Sequence, residues 1–257
     1  MLPVRPETPL RLTEKLEPDI FYQLVKVLRV APGDKVVLLP AEGGPDAARG
    51  EEFEYEVETA QKKEVVLRFT GRRKNENELD FRLGLLLCLP NKPDKLEMIL
   101  QKAVEIGVAA VILVEGDFSR LKHNLRTDRL EKIMTEAAEQ SERAYVPSLA
   151  LAGRLNKYLE ELPEEKRKNV FVAMERMDGD KGENHSLTSL LQKEPAKSAR
   201  AGSVLQILIG PEGGFSPEEK TMIEKLELPC FSLGRRILRM ETAAILSLGM
   251  AAITNDL

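Results

Sequence analysis

Two glycine-marked turns, Gly210-Pro211-Glu212-Gly213-Gly214 and the stretch from Gly234 to Ala243, each follow a short apolar run and hold the residues best suited to chemistry. Glycine reaches positive φ and lets backbone approach a ligand with no side chain between them, so a pair of such turns beside one sheet suggests a pocket built from main chain. The first turn carries a carboxylate, Glu212; the second carries Arg235, Arg236 and Arg239, followed by Glu241. A phosphate ligand fits poorly in the first. It lacks the Lys-Ser/Thr of a P-loop and the spacing of a dinucleotide site, and it places an acid where phosphate would sit. A neutral or cationic ligand suits it better. Taken alone the first turn is read as a tight turn and no more. Three arginines crowded into the second, a residue type that meets phosphate or carboxylate at loops, shift that reading toward a site.

The elements that must position these turns are legible in the pattern. Val204–Ile209 is a short apolar strand ahead of the first turn. Ser216, Pro217 and Glu219 then give an N-cap, a first-turn proline and a capping box, so the order is strand, glycine-rich turn, helix N-terminus. Ligands bind beyond the carboxyl ends of strands in such open parallel sheets. Upstream, Phe81–Leu89 reads as a strand buried on both faces. Asp94 is read as capping a helix with Leu96, Ile99, Leu100, Ala103 and Val104 at helical spacing, ending at Gly107. A strand at Val108–Val114, a helix from about Asp128, and strands at Val170–Met174 and Val204–Ile209 continue the alternation expected of an α/β domain with a parallel sheet. The last helix, from about Glu241 or Thr242 to Thr254, has almost no polar face, which predicts burial in the core or against a second subunit.

The first third is different. Short runs at Val36–Leu39, Phe53–Val57 and Val65–Phe69 suggest a small β-rich domain with a long hairpin loop over 40–52, and the charged stretch Gly71–Glu78 reads as a linker. Acidic and basic side chains balance there, so any basic surface must come from arrangement, with Lys26, Arg29, Arg72, Arg73 and Lys74 as candidates. Across all 257 residues the net charge is −4, which argues against non-specific coating of nucleic acid. Cys88 and Cys230 read as buried core residues, and His123 and His185 as surface loop residues, so no metal site is expected. No apolar run approaches the ~20 residues that span a bilayer. Met1–Pro6 lacks a basic region ahead of an apolar core, and a cytoplasmic location is expected. The segment 181–203 looks least structured.

At these residues the sequence resembles the ribosomal RNA small subunit methyltransferase E family of the SPOUT superfamily. The resemblance covers nearly the whole chain. It is carried by Val27-Leu28-Arg29 with Gly33-Asp34, by Gln101-Lys102-Ala103-Val104-Glu105-Ile106-Gly107, and by Ala137-Ala138-Glu139-Gln140-Ser141 with Arg143 and Pro147. Ile209 through Ser216 and Leu233 through Ala243 complete it. It implies a PUA-like β-barrel over 1–72 that binds RNA, a linker over 73–80, and a trefoil-knotted SPOUT methyltransferase domain of α/β class with a parallel sheet over 81–257. True knots are rare, and periodicity alone proposes none. It further implies S-adenosyl-L-methionine as cofactor, a homodimer with its site near the subunit interface, and methylation of N3 of one uridine in 16S rRNA, within the small ribosomal subunit. On the resemblance, Ile209, Gly210, Pro211, Glu212, Gly213, Gly214, Leu233, Gly234, Ile237 and Leu238 hold the cofactor. Arg239, between the cofactor loop and the last helix, is expected to stabilise the uracil as its proton leaves, and Glu241 to orient Arg239 or the loop, or to act as base. Lys26, Arg29, Arg72, Arg73, Arg143, Arg235 and Arg236 meet RNA. Gln23 stands where many members have histidine, Leu130 where many have tryptophan, and the 40–52 loop is longer than usual. A methyltransferase acting on another RNA or base position, or a ribosome-binding module without catalysis, are the alternatives.

Overall fold

The computed structural model describes residues 9–13, 15, 18–38, 51–120, 125–175, 186–192 and 204–256. His123, His185, most of the 40–52 loop and most of 181–203 lie outside them. The chain divides into two compact units, Met1–Glu78 with Arg143–Tyr145, and Leu79–Glu142 with Val146–Leu257.

The first unit holds a four-stranded antiparallel sheet in the order β1-β4-β3-β2, formed by β1 (Leu10–Thr13), β2 (Lys35–Leu38), β3 (Glu51–Ala60) and β4 (Glu64–Lys74). Between β1 and β2 lie α1 (Pro18–Tyr22) and a π-helical turn, Gln23–Leu28. Alternation along the strands sends Leu12, Tyr55, Val57, Val65 and Leu67 inward, where Phe21 and Leu24 meet them. Two register shifts between β3 and β4 mark bulges that bend the ribbon. Gly71–Lys74, expected as linker, is instead the end of β4. Arg72 and Arg73 lie opposite Phe53 and Glu52, and the Arg73 guanidinium pairs with Glu52 and Glu54. Charge without apolar alternation looks like linker in a single strand, but two such strands of opposite sign satisfy one another across a ladder.

The second unit is built on a six-stranded sheet in the order β10-β8-β9-β5-β6-β7, every pairing parallel. Its strands are β5 (Arg82–Cys88), β6 (Ala110–Glu115), β7 (Ser148–Arg154), β8 (Val170–Met174), β9 (Val204–Ile209) and β10 (Cys230–Ser232). Successive side chains point to opposite faces. Leu83, Leu85 and Leu87 of β5 pack beneath α2 (Pro93–Ile106), α3 (Thr127–Gln140), α6 (Leu187–Leu191) and α8 (Met240–Asp256). Leu86 and Cys88 face α4 (Leu155–Glu161) and α7 (Pro217–Lys225) across the sheet, and α5 (Glu164–Arg167) is short and exposed. Burial on both faces is why β5, β6, β8 and β9 read as unbroken apolar runs.

α2 ends at Gly107, at φ 106°, as the sequence suggests. Its N-cap is Lys92 with Pro93 at the first position, so Asp94 sits inside the first turn and is not the cap. There its charge still favours the helix N-terminus. Leu130 is 4% exposed in the core, where an aliphatic side chain fills the position. α8 buries Ala244, Leu248, Ala251 and Ala252, while Leu246 and Ile253 are 42% and 65% exposed, so its apolar character exceeds what this chain covers. Cys88 is buried, Cys230 is only half-buried, and both are free thiols. Among the described residues no helix is long and apolar enough to cross a membrane.

Candidate functional site

The sheet order brings the two turns together. β8 lies between β9 and β10 and all three run parallel, so the turns after β9 and β10 leave the same edge on either side of the end of β8.

The first turn is held from several directions. The Phe215 ring packs onto Gly210, where a Cβ would stand 2.9 Å from Cζ, and Phe118 covers Gly213. Gly214 adopts φ 73°, which a residue with Cβ rarely does, and lies beside Glu175 just past β8. Ser216 caps α7 as expected: its Oγ accepts from the Glu219 N–H at 3.1 Å, while Glu219 Oε2 accepts from the Ser216 N–H at 2.8 Å. The other Glu219 oxygen accepts from the Asp117 N–H at 2.9 Å, and Ser216 Oγ donates to Asp117 Oδ2 at 2.6 Å. Ser216 and Glu219 are 3% and 1% exposed, so the cap is a closed, satisfied network that fixes where the turn ends.

Glu212 is the main departure. Its charge was expected to face a ligand; instead both carboxylate oxygens accept from the Asn91 N–H, at 3.1 and 3.0 Å, and Oε1 accepts from Lys95 Nζ at 3.0 Å. Burial alone would raise this carboxyl, but the Asn91 N–H and the Lys95 ammonium outweigh it and hold the group below the usual carboxylate range. Glu212 therefore clips the turn to the start of α2, and only its backbone is left to face a ligand.

In the second turn, Ser232 Oγ accepts from the Gly234 N–H at 3.3 Å, and Gly234 adopts φ 107° with open space where a Cβ would point. The Ala243 N–H bonds the Arg239 carbonyl at 2.8 Å as α8 begins. Arg235, Arg236 and Arg239 are exposed, and none forms an ion pair among the described residues. Three cations left in water at one edge form a local positive field on an acidic chain. Ile237 is 61% exposed and Leu238 half-buried. Glu241 forms no pair with Arg239 among the described residues; its Oε2 lies 3.9 Å from Lys95 Nζ, so the carboxylate leans toward α2.

The other cations fall differently. Lys26 and Arg29 are exposed on and after the π turn, with Arg29 at φ 54°. Arg72 stacks over Phe53 at 5.4 Å, and Arg73 is committed to acids but 58% exposed. Arg143 corrects the expectation of an RNA-facing cation. It is 2% exposed, its Nε and Nη2 donate to Glu78 at 2.9 to 3.2 Å, and its guanidinium lies over Tyr145 at 4.9 Å. A buried, paired guanidinium holds structure and has no face for phosphate.

Sequence reasoning missed Asn91, Lys95 and Glu175. Asn91 and Lys95 belong to the connection after β5, another parallel strand, so the rule that ligand sites gather at carboxyl ends could have flagged them. Glu175 follows the end of β8 in the same way.

The model of the RNA methyltransferase domain matches residues 77–252. The ribosomal RNA small subunit methyltransferase E of Bacillus subtilis is 30% identical over 245 residues, covering 92% of this chain and 88% of that one. Its counterpart in Synechocystis is 28% identical over 249 residues, 96% and 75% of the two chains. Among solved structures, a probable rRNA-methyltransferase from Porphyromonas gingivalis is 25% identical with a TM-score of 0.71, over 93% of this chain and 92% of that one. The ribosomal RNA small subunit methyltransferase E of Neisseria gonorrhoeae, solved bound to S-adenosyl methionine, shares the fold at 24% identity and a TM-score of 0.74, over 96% and 93%. With the domain model spanning both turns and a relative matched along almost the whole length, the chain belongs to the ribosomal RNA small subunit methyltransferase E family.

Proposed function

We propose that the protein transfers a methyl group from S-adenosyl-L-methionine to N3 of one uridine in small-subunit ribosomal RNA. The observation that carries this reading is the pair of glycine-marked turns flanking the end of β8, one held by several contacts and the other bearing three exposed arginines that form no ion pair among the described residues, in a chain of this family. The cradle suits the cofactor. Gly234 leaves open space where a Cβ would stand, no phosphate-binding lysine is needed, and the Glu212 carboxylate is already neutralised. The backbone of Ile209 through Gly214, with Leu233, Gly234, Ile237 and Leu238, would hold it. Bound there, S-adenosyl-L-methionine supplies a methyl group on a sulfonium.

N3 of uracil lies on the Watson–Crick edge, so the base must be unpaired and turned out before the site can reach it. N3 must also lose its proton, and negative charge then spreads to O2 and O4. Arg239, exposed and without an ion pair among the described residues, is the cation we assign to that charge. Arg235 and Arg236 then meet RNA phosphates, along with Lys26, Arg29, Arg72 and Arg73 of the first unit. Glu241 orients the loop through Lys95.

The remaining architecture follows the family. We read the first unit as a PUA-like barrel over about residues 1–72 that binds RNA, and the second as a SPOUT domain whose C-terminal segment is knotted. The exposed Leu246 and Ile253 on α8 support a homodimer. The substrate is 16S rRNA, within the small subunit, in the cytoplasm. Mass spectrometry of rRNA nucleosides from a strain lacking the gene tests the assignment: 3-methyluridine should disappear from small-subunit rRNA, and its persistence would overturn the target.

A further inference from the structure

Lys95 stands where the two turns meet the first turn of α2. Its ammonium donates to Glu212 Oε1 at 3.0 Å and lies 3.9 Å from Glu241 Oε2, too far for a hydrogen bond. The side chains are 30%, 17% and 14% exposed, so water screens the group only in part. Glu241 Oε2 is buried and accepts no hydrogen bond among the described residues, and a buried carboxylate oxygen without a donor is costly. Lys95 has donors to spare, since an ammonium carries three and one is used among the described residues. Two partly buried carboxylates from different turns therefore converge on one cation that is bonded to the first and a short movement from the second.

We infer that Lys95 is a positioning residue that couples the two turns. Bonded to Glu212, it holds the glycine-rich turn against Asn91; drawn onto Glu241, it fixes the start of α8 and with it Arg239, two residues earlier. Ordering either turn then favours ordering of the other, because the shared cation screens two like charges that would otherwise repel. This rests on the proposed methyltransferase reading for its consequence, but the coupling itself is a property of this chain.

The test uses the full-length protein with Lys95→Met, Lys95→Arg, Glu241→Gln and the Lys95→Met/Glu241→Gln pair. Calorimetry with S-adenosyl-L-methionine should show the Met variant binding about tenfold to a hundredfold more weakly, the scale of a lost charge-assisted bond. Its kcat on rRNA should fall as well, while KM for rRNA stays within about threefold, the contact with RNA being left in place. Lys95→Arg, which keeps the charge, should recover most of the binding. The urea unfolding constants of the four proteins should be non-additive by more than about twofold, the Gln change costing less in the Met background. Unchanged binding in Lys95→Met, no recovery in Lys95→Arg, or additive unfolding constants would each overturn the coupling. If the wild type itself binds no S-adenosyl-L-methionine, the functional reading fails, and the unfolding cycle alone decides the role of Lys95.

Discussion

Replacing Glu212 with glutamine isolates the charge that clips the first turn. The carboxylate accepts from the Asn91 N–H and from Lys95 Nζ, all within 3.1 Å. Glutamine keeps one acceptor for Asn91, so what is lost is the charge-assisted part, and Lys95 then faces an amide. Hydrogen bonds to charged groups contribute about 1.5–3 kcal/mol, and the 30% exposure of Lys95 reduces that to about 1–2 kcal/mol at neutral pH. The sign of the pH dependence follows from the direction of the shift. The folded carboxyl is held below its ordinary value, so its stabilisation is complete above the unfolded pKa and is lost as pH falls through the lowered folded one. Urea unfolding of both proteins between about pH 7 and pH 3.5 reads this directly. The wild type should lead by about 1–2 kcal/mol at pH 7, and the lead should shrink steadily below about pH 5. A lead that is absent at pH 7, or that persists undiminished in acid, would refute the clip.

Ser216→Ala removes the cap on the Glu219 N–H and the donor to Asp117, so urea unfolding should show a loss of about 1–3 kcal/mol, with faster amide exchange at Asp117 and Glu219. Glu78→Ala leaves the buried Arg143 guanidinium without its main partner and should cost about 3–5 kcal/mol; replacing both residues with apolar ones should recover much of that. Burial raises the Cys230 thiol to about 11, with Glu224 adding to it, and burial, with Glu219 and Asp117 nearby, pushes the Cys88 thiol well above its ordinary value, so neither should react with a disulfide reagent at about pH 8 until the chain is unfolded. Ile253→Asp paired with Leu246→Asp should shift light-scattering mass from dimer to monomer while leaving the far-ultraviolet spectrum unchanged.

Most of the second unit was legible because its central strands are buried on both faces and α2 and α3 carry a single apolar stripe: Val170–Met174, Val204–Ile209 and the Ser216 cap lie where periodicity and capping rules put them, whereas β7, exposed along most of its length, gives no such run. The first unit was less so. β1 is four residues long with only Leu10 and Leu12 to mark it, and the end of β4 is a run of charges whose partners lie on another strand. Side-chain direction was the harder limit at the site. Spacing placed Glu212 in the first turn and Glu241 just after the second, but the lysine between them, Lys95, is more than a hundred residues from either, so only the folded arrangement brings them together. Arg143 failed for the same reason: a lone arginine after a helix looks solvated until Glu78 is brought against it.

The most direct test of the central claim is transfer of a labelled methyl group. Purified protein is incubated with isotopically labelled S-adenosyl-L-methionine and with small subunits or 16S rRNA from a strain lacking the gene, and the nucleosides are identified by mass spectrometry. Label in 3-methyluridine at a single site, abolished or strongly reduced by Arg239→Ala, is the expected result. Label in another nucleoside, or none with a protein that binds the cofactor, would contradict it.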